Sequence, residues 1–256
     1  MSFDFKYHTQ WLESPGYLLA EVPPQVREEL EESIQNLNED TAESYTTRLK
    51  GHLEKEYALP ITPHIKFLTE SMAYEFARQF YIERASGQTE VYADPENGLN
   101  YELLNLWVNY QKKHDFNPIH NHAGAYSFVI WVKIPYDLEE EQKRYKTNGN
   151  ETALFAFRYV SPLGGIDTKS LPIDKSWEWK MAFFPAKLNH TVNPFYTSDE
   201  YRISISGNVF LRESGKKNVA IKEDFKDKMF TPLNDYVYND QVKDPNFYRY
   251  KNRKPI

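Results

Sequence analysis

The chain has 256 residues, of which 40% are apolar and 27% charged, so we expect a folded protein and exclude wholesale disorder. Its net charge of −6 at pH 7 argues against nucleic acid as a partner, because such proteins carry a basic footprint. It contains no cysteine, which excludes disulfides, thiol nucleophiles and iron–sulfur ligation, so any metal chemistry must use His, Asp and Glu.

The sequence offers no segment for a membrane. No stretch approaches the roughly 20 uninterrupted apolar residues that a membrane helix needs. Residues 1–6 lack a basic start followed by an apolar run, so they do not predict a secretory signal. Together with the lack of disulfides, these features predict a cytoplasmic protein without a membrane partner.

The first hundred residues are predicted to be helical and connective. After Pro24, the residues Val26, Leu30 and Ile34 recur at steps of four, which predicts an amphipathic helix. A second pattern of apolar residues at steps of three and four predicts another helix over residues 63–84.

From Tyr101 onward the pattern changes to that of β-strands. Five runs rich in β-branched and aromatic residues are bounded by Pro, Gly, Asn or Asp, at 101–110, 126–134, 152–160, 177–184 and 201–211. They favour an antiparallel sandwich or barrel, with the charged segment 137–150 as an excursion or lid at its mouth. We divide the chain into an N-terminal helical support region (1–100), a core (101–212) and a C-terminal extension (213–256), within a single globular unit.

Three histidines occupy informative places. His120 and His122 stand just before the second strand run, and residues two apart on an extended chain point to one face. His190 follows Phe184-Pro185, where antiparallel pairing can bring it beside the first two. Imidazole suits Fe, Zn, Cu and Ni, and three facial ligands leave positions open for substrate and oxygen. Ordinary surface or core histidines give the same pattern, so both interpretations stay open at this point.

The last strand run alternates between apolar and polar residues. Its apolar face includes Ile203 and Ile205, and its other face carries a polar row of Arg202, Ser204, Ser206 and Asn208. A solvated sheet face would account for this row. If the row instead lines a barrel interior, Arg202 can offer its planar fork to a ligand carboxylate and Ser204 its hydroxyl.

The order and spacing of these motifs resemble the Fe(II)- and 2-oxoglutarate-dependent oxygenase superfamily. A branch common in marine bacteria and their phages is more closely similar, in Asn117-Pro118-Ile119-His120-Asn121-His122-Ala123-Gly124, in Phe184-Pro185…His190 and in Arg202-Ile203-Ser204-Ile205-Ser206-Gly207-Asn208. The resemblance covers roughly residues 101–212. It implies a mainly β protein whose core is a double-stranded β-helix, that is a jelly-roll or cupin-like fold, with the N-terminal helices packed against one sheet.

The resemblance also implies roles for individual residues. His120 and His190 would be iron ligands, and Arg202, helped by Ser204, would bind the distal carboxylate of 2-oxoglutarate. His122 stands where the superfamily usually has a carboxylate, and we assign it as the third ligand. Asn109 and Gln111 share one face of the first strand of the core, so either could contact the cosubstrate, and we assign Asn109.

Asp115 and Asp137 are the nearest carboxylates in sequence that could replace His122 at the metal. The cofactors implied are Fe(II) and 2-oxoglutarate, and the implied activity is that of a dioxygenase, in particular a hydroxylase. Its substrate would be a small molecule or a protein side chain, and aromatic strands on a barrel surface are compatible with a homodimer.

Two other functions stay open. A cupin-like metalloenzyme that does not use 2-oxoglutarate would also employ three histidines. A non-catalytic jelly-roll protein, for binding or as part of a virion, would use the metal for structure or not at all. Open coordination positions would favour an enzyme, and a fourth protein ligand would favour a structural site.

Overall fold

A computed structural model of the chain describes residues 16–46, 51–53, 55–77, 98–145, 150–161 and 164–213. These residues belong to one of the two compact units into which the chain divides, Met1–Asn218. The predictions for residues 78–97 and for the C-terminal extension beyond Glu213 lie outside the described residues. Within the described ranges, no helix is long and apolar enough to cross a membrane.

The described residues form mainly β-structure with few helices. The helices are α1 (Pro24–Gln35), α2 (Pro63–Ala77) and the short α3 (Leu138–Lys143). The strands are β1 (Leu18–Glu21), β2 (Lys55–Ala58), β3 (Leu99–Gln111), β4 (Asn117–His120), β5 (Tyr126–Lys133), β6 (Phe155–Val160), β7 (Ile166–Leu171), β8 (Lys180–Pro185), β9 (Asn189–Val192) and β10 (Arg202–Glu213).

The strands form two antiparallel sheets, one of six strands and one of four. The larger sheet has the order β1-β8-β5-β10-β3-β2, and the smaller has the order β4-β9-β6-β7. From β3 to β10 the chain passes back and forth between the sheets, which is the topology of a jelly roll. The jelly-roll fold expected from the resemblance is therefore confirmed.

Two of the predicted strands begin later than their composition indicates. Ala153 and Trp179 have positive φ angles of 64° and 62°, a conformation that interrupts an extended strand. Consequently β6 starts at Phe155 rather than at residue 152, and β8 starts at Lys180 rather than at residue 177. The described part of the charged segment 137–150, residues 137–145 and 150, contains the short helix α3.

The two faces of the larger sheet are covered differently. On its outer face α2 packs its aromatic residues against the sheet, with the rings of Phe76 and Tyr126 5.0 Å apart between centroids. Between the two sheets lies an apolar cluster that includes Trp131, Phe155, Phe157, Phe184 and Phe195. Together these contacts leave polar side chains at one end of the space between the sheets, where the candidate site lies.

Candidate metal centre

Two short paired strands bring the histidines together. His120 ends β4 and lies directly opposite His190 on β9, so both side chains point to the same face of the smaller sheet. His122 lies just after β4, where its backbone N–H donates to the carbonyl of Ala186 at 2.8 Å. The candidate ligand atoms of the three imidazoles lie within 4.8 Å of one another.

The spacing of these nitrogens suits one metal ion. Nε2 of His122 lies 3.2 Å from Nε2 of His190. Two nitrogens that each lie about 2.1 Å from one ion, at roughly a right angle, are about 3.0 Å apart. The His122–His190 pair therefore fits Fe(II) as it stands, and the third imidazole would move closer to complete the set.

Backbone carbonyls set the tautomers of two of the rings. Nδ1 of His120 lies 2.7 Å from the Pro118 carbonyl, and Nδ1 of His190 lies 3.0 Å from the Leu188 carbonyl. A carbonyl only accepts hydrogen bonds, so each Nδ1 carries the proton and each Nε2 keeps its lone pair. A metal-binding histidine commonly donates its other ring N–H to such an acceptor, which fixes the tautomer and the orientation of the ring.

The surroundings keep the imidazoles of His122 and His190 uncharged. Burial, and next the neighbouring His120, lower the pKa of His122 to about 3. The same causes hold the pKa of His190 well below its usual value. The ring of His190 stacks on Phe155, with centroids 5.3 Å apart. Uncharged imidazoles with free lone pairs are the form in which histidine binds a metal.

The carboxylates considered as replacements for His122 are used elsewhere. The Asp115 carboxylate accepts a hydrogen bond from the backbone of Lys112, and the Asp137 carboxylate caps the N-terminus of α3. Within the part of the chain that the structure describes, the ligand cluster contains three histidines and no carboxylate. Fe(II) held by three uncharged ligands would keep its full charge of two, which favours a dianionic ligand.

All six residues assigned from the sequence line one cavity of about 320 Å³. The histidines form one wall, and the polar row of β10 forms another together with β3, its neighbour in the larger sheet. Asn109 of β3 donates from its amide to Oγ of Ser204 and Oγ of Ser206, at 3.3 Å each. The polar row thus faces the interior of the barrel rather than solvent, at a volume suited to small ligands.

Arg202 lies at the edge of this cavity and is 3% exposed. Its five N–H groups donate to uncharged acceptors, which are Gln111 Oε1 (twice), the Tyr136 hydroxyl and the carbonyls of Ala153 and Asn193. These bonds orient the guanidinium but do not neutralise its charge. A buried cation of this kind is costly unless an anion lies nearby.

Sequence reasoning missed two further cavity residues. Glu56 lies on β2 and is 2% exposed, and its Oε1 has no hydrogen-bond partner among the described residues. Asn117 begins β4, and its Oδ1 is likewise buried without a partner there. A four-residue strand carries too little periodicity to be recognised, so the sequence contains no signal that places Glu56 in the cavity.

Comparisons with known proteins bear on this site. Residues 105–208 match the model of a protein family described as "Putative 2OG-Fe(II) oxygenase". A search of curated proteins finds no match. The matched segment begins on β3 and ends on β10, so it includes the three histidines and Arg202.

Several solved structures are similar to this chain at low identity. A prolyl-4-hydroxylase from Pseudomonas putida is 11% identical, with 78% of this chain and 94% of that chain covered and a TM-score of 0.42. A 2OG-Fe(II) oxygenase family oxidoreductase from Burkholderia pseudomallei is 10% identical, with 79% and 87% covered and a TM-score of 0.41. Protein SO0799 from Shewanella oneidensis is 12% identical, with 49% and 65% covered and a TM-score of 0.24.

The family match and the histidine cluster agree on the same residues. Fe(II) and 2-oxoglutarate are the cofactors of that family, and the cluster has the donor set and spacing to hold the iron. The resemblance inferred from the sequence is confirmed over residues 105–208, the segment that matches the model of the 2OG-Fe(II) oxygenase family.

Proposed function

We propose that this protein is an Fe(II)- and 2-oxoglutarate-dependent dioxygenase that hydroxylates a small molecule or a protein side chain. The observation that carries the proposal is one cavity that has three imidazoles on one wall and, on another, a buried guanidinium that forms no ion pair with the described residues. When bound, iron and 2-oxoglutarate let dioxygen hydroxylate the substrate, as 2-oxoglutarate is oxidised to succinate and carbon dioxide.

The chain's own contribution is to bind and orient. His120, His122 and His190 would hold the iron through Nε2, since backbone carbonyls already engage Nδ1 of two of them. Arg202 would attract the distal carboxylate of 2-oxoglutarate and offset the cost of its own burial. Ser204 lies two residues further along the same face of β10, where its hydroxyl would add a hydrogen bond.

A ligand carboxylate must compete with Gln111 for the guanidinium of Arg202. Its Oε1 accepts from both Nε and Nη2 of Arg202, at 3.1 and 2.6 Å. This is the edge of a guanidinium that a carboxylate commonly engages through both oxygens. We therefore expect cosubstrate binding to replace the Gln111 contacts, while the Tyr136 hydroxyl and two carbonyls still hold the arginine.

The test is an anaerobic titration of the Fe(II)-loaded protein with 2-oxoglutarate, followed by its visible charge-transfer band. We expect a saturable band in the wild type and in the control His64→Ala, because His64 lies on α2 and pairs with Glu29 away from the cavity. His190→Ala should lose the metal. Arg202→Lys should keep the metal but bind the cosubstrate at least about tenfold more weakly, since lysine lacks the planar fork.

Among the described residues the ligand cluster contains no carboxylate, which favours one other candidate, a cupin-like metalloenzyme that does not use 2-oxoglutarate. The same titration separates the two functions. Metal bound at one equivalent without a charge-transfer band, and without succinate after exposure to oxygen, would contradict the dioxygenase and support the cupin-like enzyme. A band together with succinate formation would exclude the cupin-like enzyme.

A further inference from the structure

Glu56 is a buried carboxyl that the proposed oxygenase chemistry does not use. It is 2% exposed, and its Oε1 accepts no hydrogen bond within the described part of the chain. Burial alone raises its pKa to about 7, with no charged group contributing. Leaving a buried acceptor unpaired is unfavourable, so such a group is expected to have a function.

The sheet register places Glu56 on the cavity face. Glu56 lies opposite Asn109, Asn109 lies opposite Ser204, and Ser204 lies opposite Trp131 on the far side of β10. Directly opposed residues of antiparallel strands project to the same face. All four side chains accordingly line the cavity that contains the histidines.

The neighbours of Glu56 do not satisfy it. The Asn109 amide donates to Ser204 and Ser206, and the Asn109 Oδ1 accepts from Trp107 Nε1 at 3.0 Å. These donors are therefore committed to one another. The Trp107 ring lies 5.8 Å from the ring of His122, so the same hydrogen-bonded group extends from beside Glu56 to the metal cluster.

Glu56 therefore presents to the cavity a carboxyl whose Oε1 no donor of the described residues satisfies, and this carboxyl can carry a full negative charge. Asn117 Oδ1 is also buried without a partner there, but it lies against Gly51, where an added Cβ would collide with it. A ligand that satisfies Glu56 must bring an N–H donor and a positive charge, which an ammonium or guanidinium group does.

We propose that Glu56 determines substrate specificity by binding a cationic nitrogen of the substrate, an ammonium or guanidinium group. The inference rests on the proposed function, in that the substrate would occupy this cavity beside the metal. Glu56 would form a charge-assisted hydrogen bond with that nitrogen and so hold the substrate against the wall formed by the larger sheet. The substrate class is then a basic small molecule or a basic protein side chain.

The experiment uses two probes of nearly the same shape, n-butylamine and 1-butanol. Each is titrated by calorimetry into the full chain loaded anaerobically with Fe(II) and 2-oxoglutarate. We expect the wild type to bind the amine at least about tenfold more tightly than the alcohol. Glu56→Gln should lose this preference, and Glu43→Gln should keep it, because Glu43 is an exposed carboxylate next to β2 that does not line the cavity.

A second measurement does not depend on a variant. In protein labelled with ¹³C at the glutamate carboxyl groups, the amine should shift the Glu56 resonance towards its ionised position at pH 7, and the alcohol should not. Equal affinity for the two probes, no binding of either, or a preference that survives in Glu56→Gln would each overturn the proposal.

The outcome separates this inference from the proposed function. The charge-transfer band is recorded on the same samples. If the band forms but the amine preference is absent, the specificity proposal fails and the oxygenase proposal stands. If the preference depends on Glu56 but no band forms, the cavity binds a basic ligand and the dioxygenase proposal fails.

Discussion

Replacing Glu56 by glutamine removes a buried ionisable group and keeps the shape of the side chain. Burial raises the pKa of this carboxyl in the folded protein from 4.5 to about 7. The folded state therefore holds a proton that the unfolded chain has released between these two pH values. Stability from this group is fully present below pH 4.5 and is lost as the pH rises through about 7.

The size of the effect follows from the two pKa values. Their difference corresponds to about 3 kcal/mol of unfolding free energy, at about 1.4 kcal/mol for each pKa unit. Glu56 is 2% exposed, so solvent screening reduces this value little. Between pH 4.5 and 8.5, the wild type should thus lose about 3 kcal/mol relative to Glu56→Gln, which does not titrate at this position.

Urea unfolding of both proteins at several pH values measures this difference. Every other titrating group contributes equally to the two proteins, so its contribution cancels when one curve is subtracted from the other. A constant difference across the pH range would refute the reasoning, because it would mean that Glu56 has a partner in the folded protein. A wild type that becomes less stable relative to Glu56→Gln as the pH falls would refute it as well.

Three further predictions concern the site and the packing of the larger sheet. His190→Ala should weaken Fe(II) binding by at least about 100-fold, measured by competition with a chelating dye, whereas His64→Ala should leave it unchanged. Gln111→Ala should tighten 2-oxoglutarate binding a few-fold in the charge-transfer titration, because it removes a competitor for Arg202; weaker binding would mean that Gln111 positions the arginine. Gly207→Ala should destabilise the fold by about 1 to 3 kcal/mol in urea unfolding, since its Cβ would lie 2.5 Å from an aromatic carbon on β5, and unchanged stability would contradict this close packing.

The candidate site could be predicted from the sequence to the extent that its residues lie in local patterns. The alternation of Arg202, Ser204, Ser206 and Asn208 with apolar residues is local, because successive side chains of a strand point to opposite faces. His120 and His122 lie close in space because they are two residues apart in the chain, and such residues of an extended segment point to one face. The jelly-roll fold followed from the order of the long strands and from the resemblance.

Other features depend on contacts between distant parts of the chain. The register of β4 with β9, which sets His120 opposite His190, is decided by packing rather than by either four-residue strand alone. The acceptors that surround Arg202 come from β3, from two loops and from the residue after Ile134-Pro135. No sequence spacing indicates that these groups meet.

The sequence by itself determined the residue types available for metal chemistry and the alternation that turns a polar row towards one face. Only the tertiary structure decided which carboxyl enters the cavity. Asp115 and Asp137, the closest carboxylates in sequence, serve local backbone groups. Glu56 reaches the cavity because a short strand with no periodic signal pairs with β3, and such pairing is stabilised by the whole sheet rather than by its own residues.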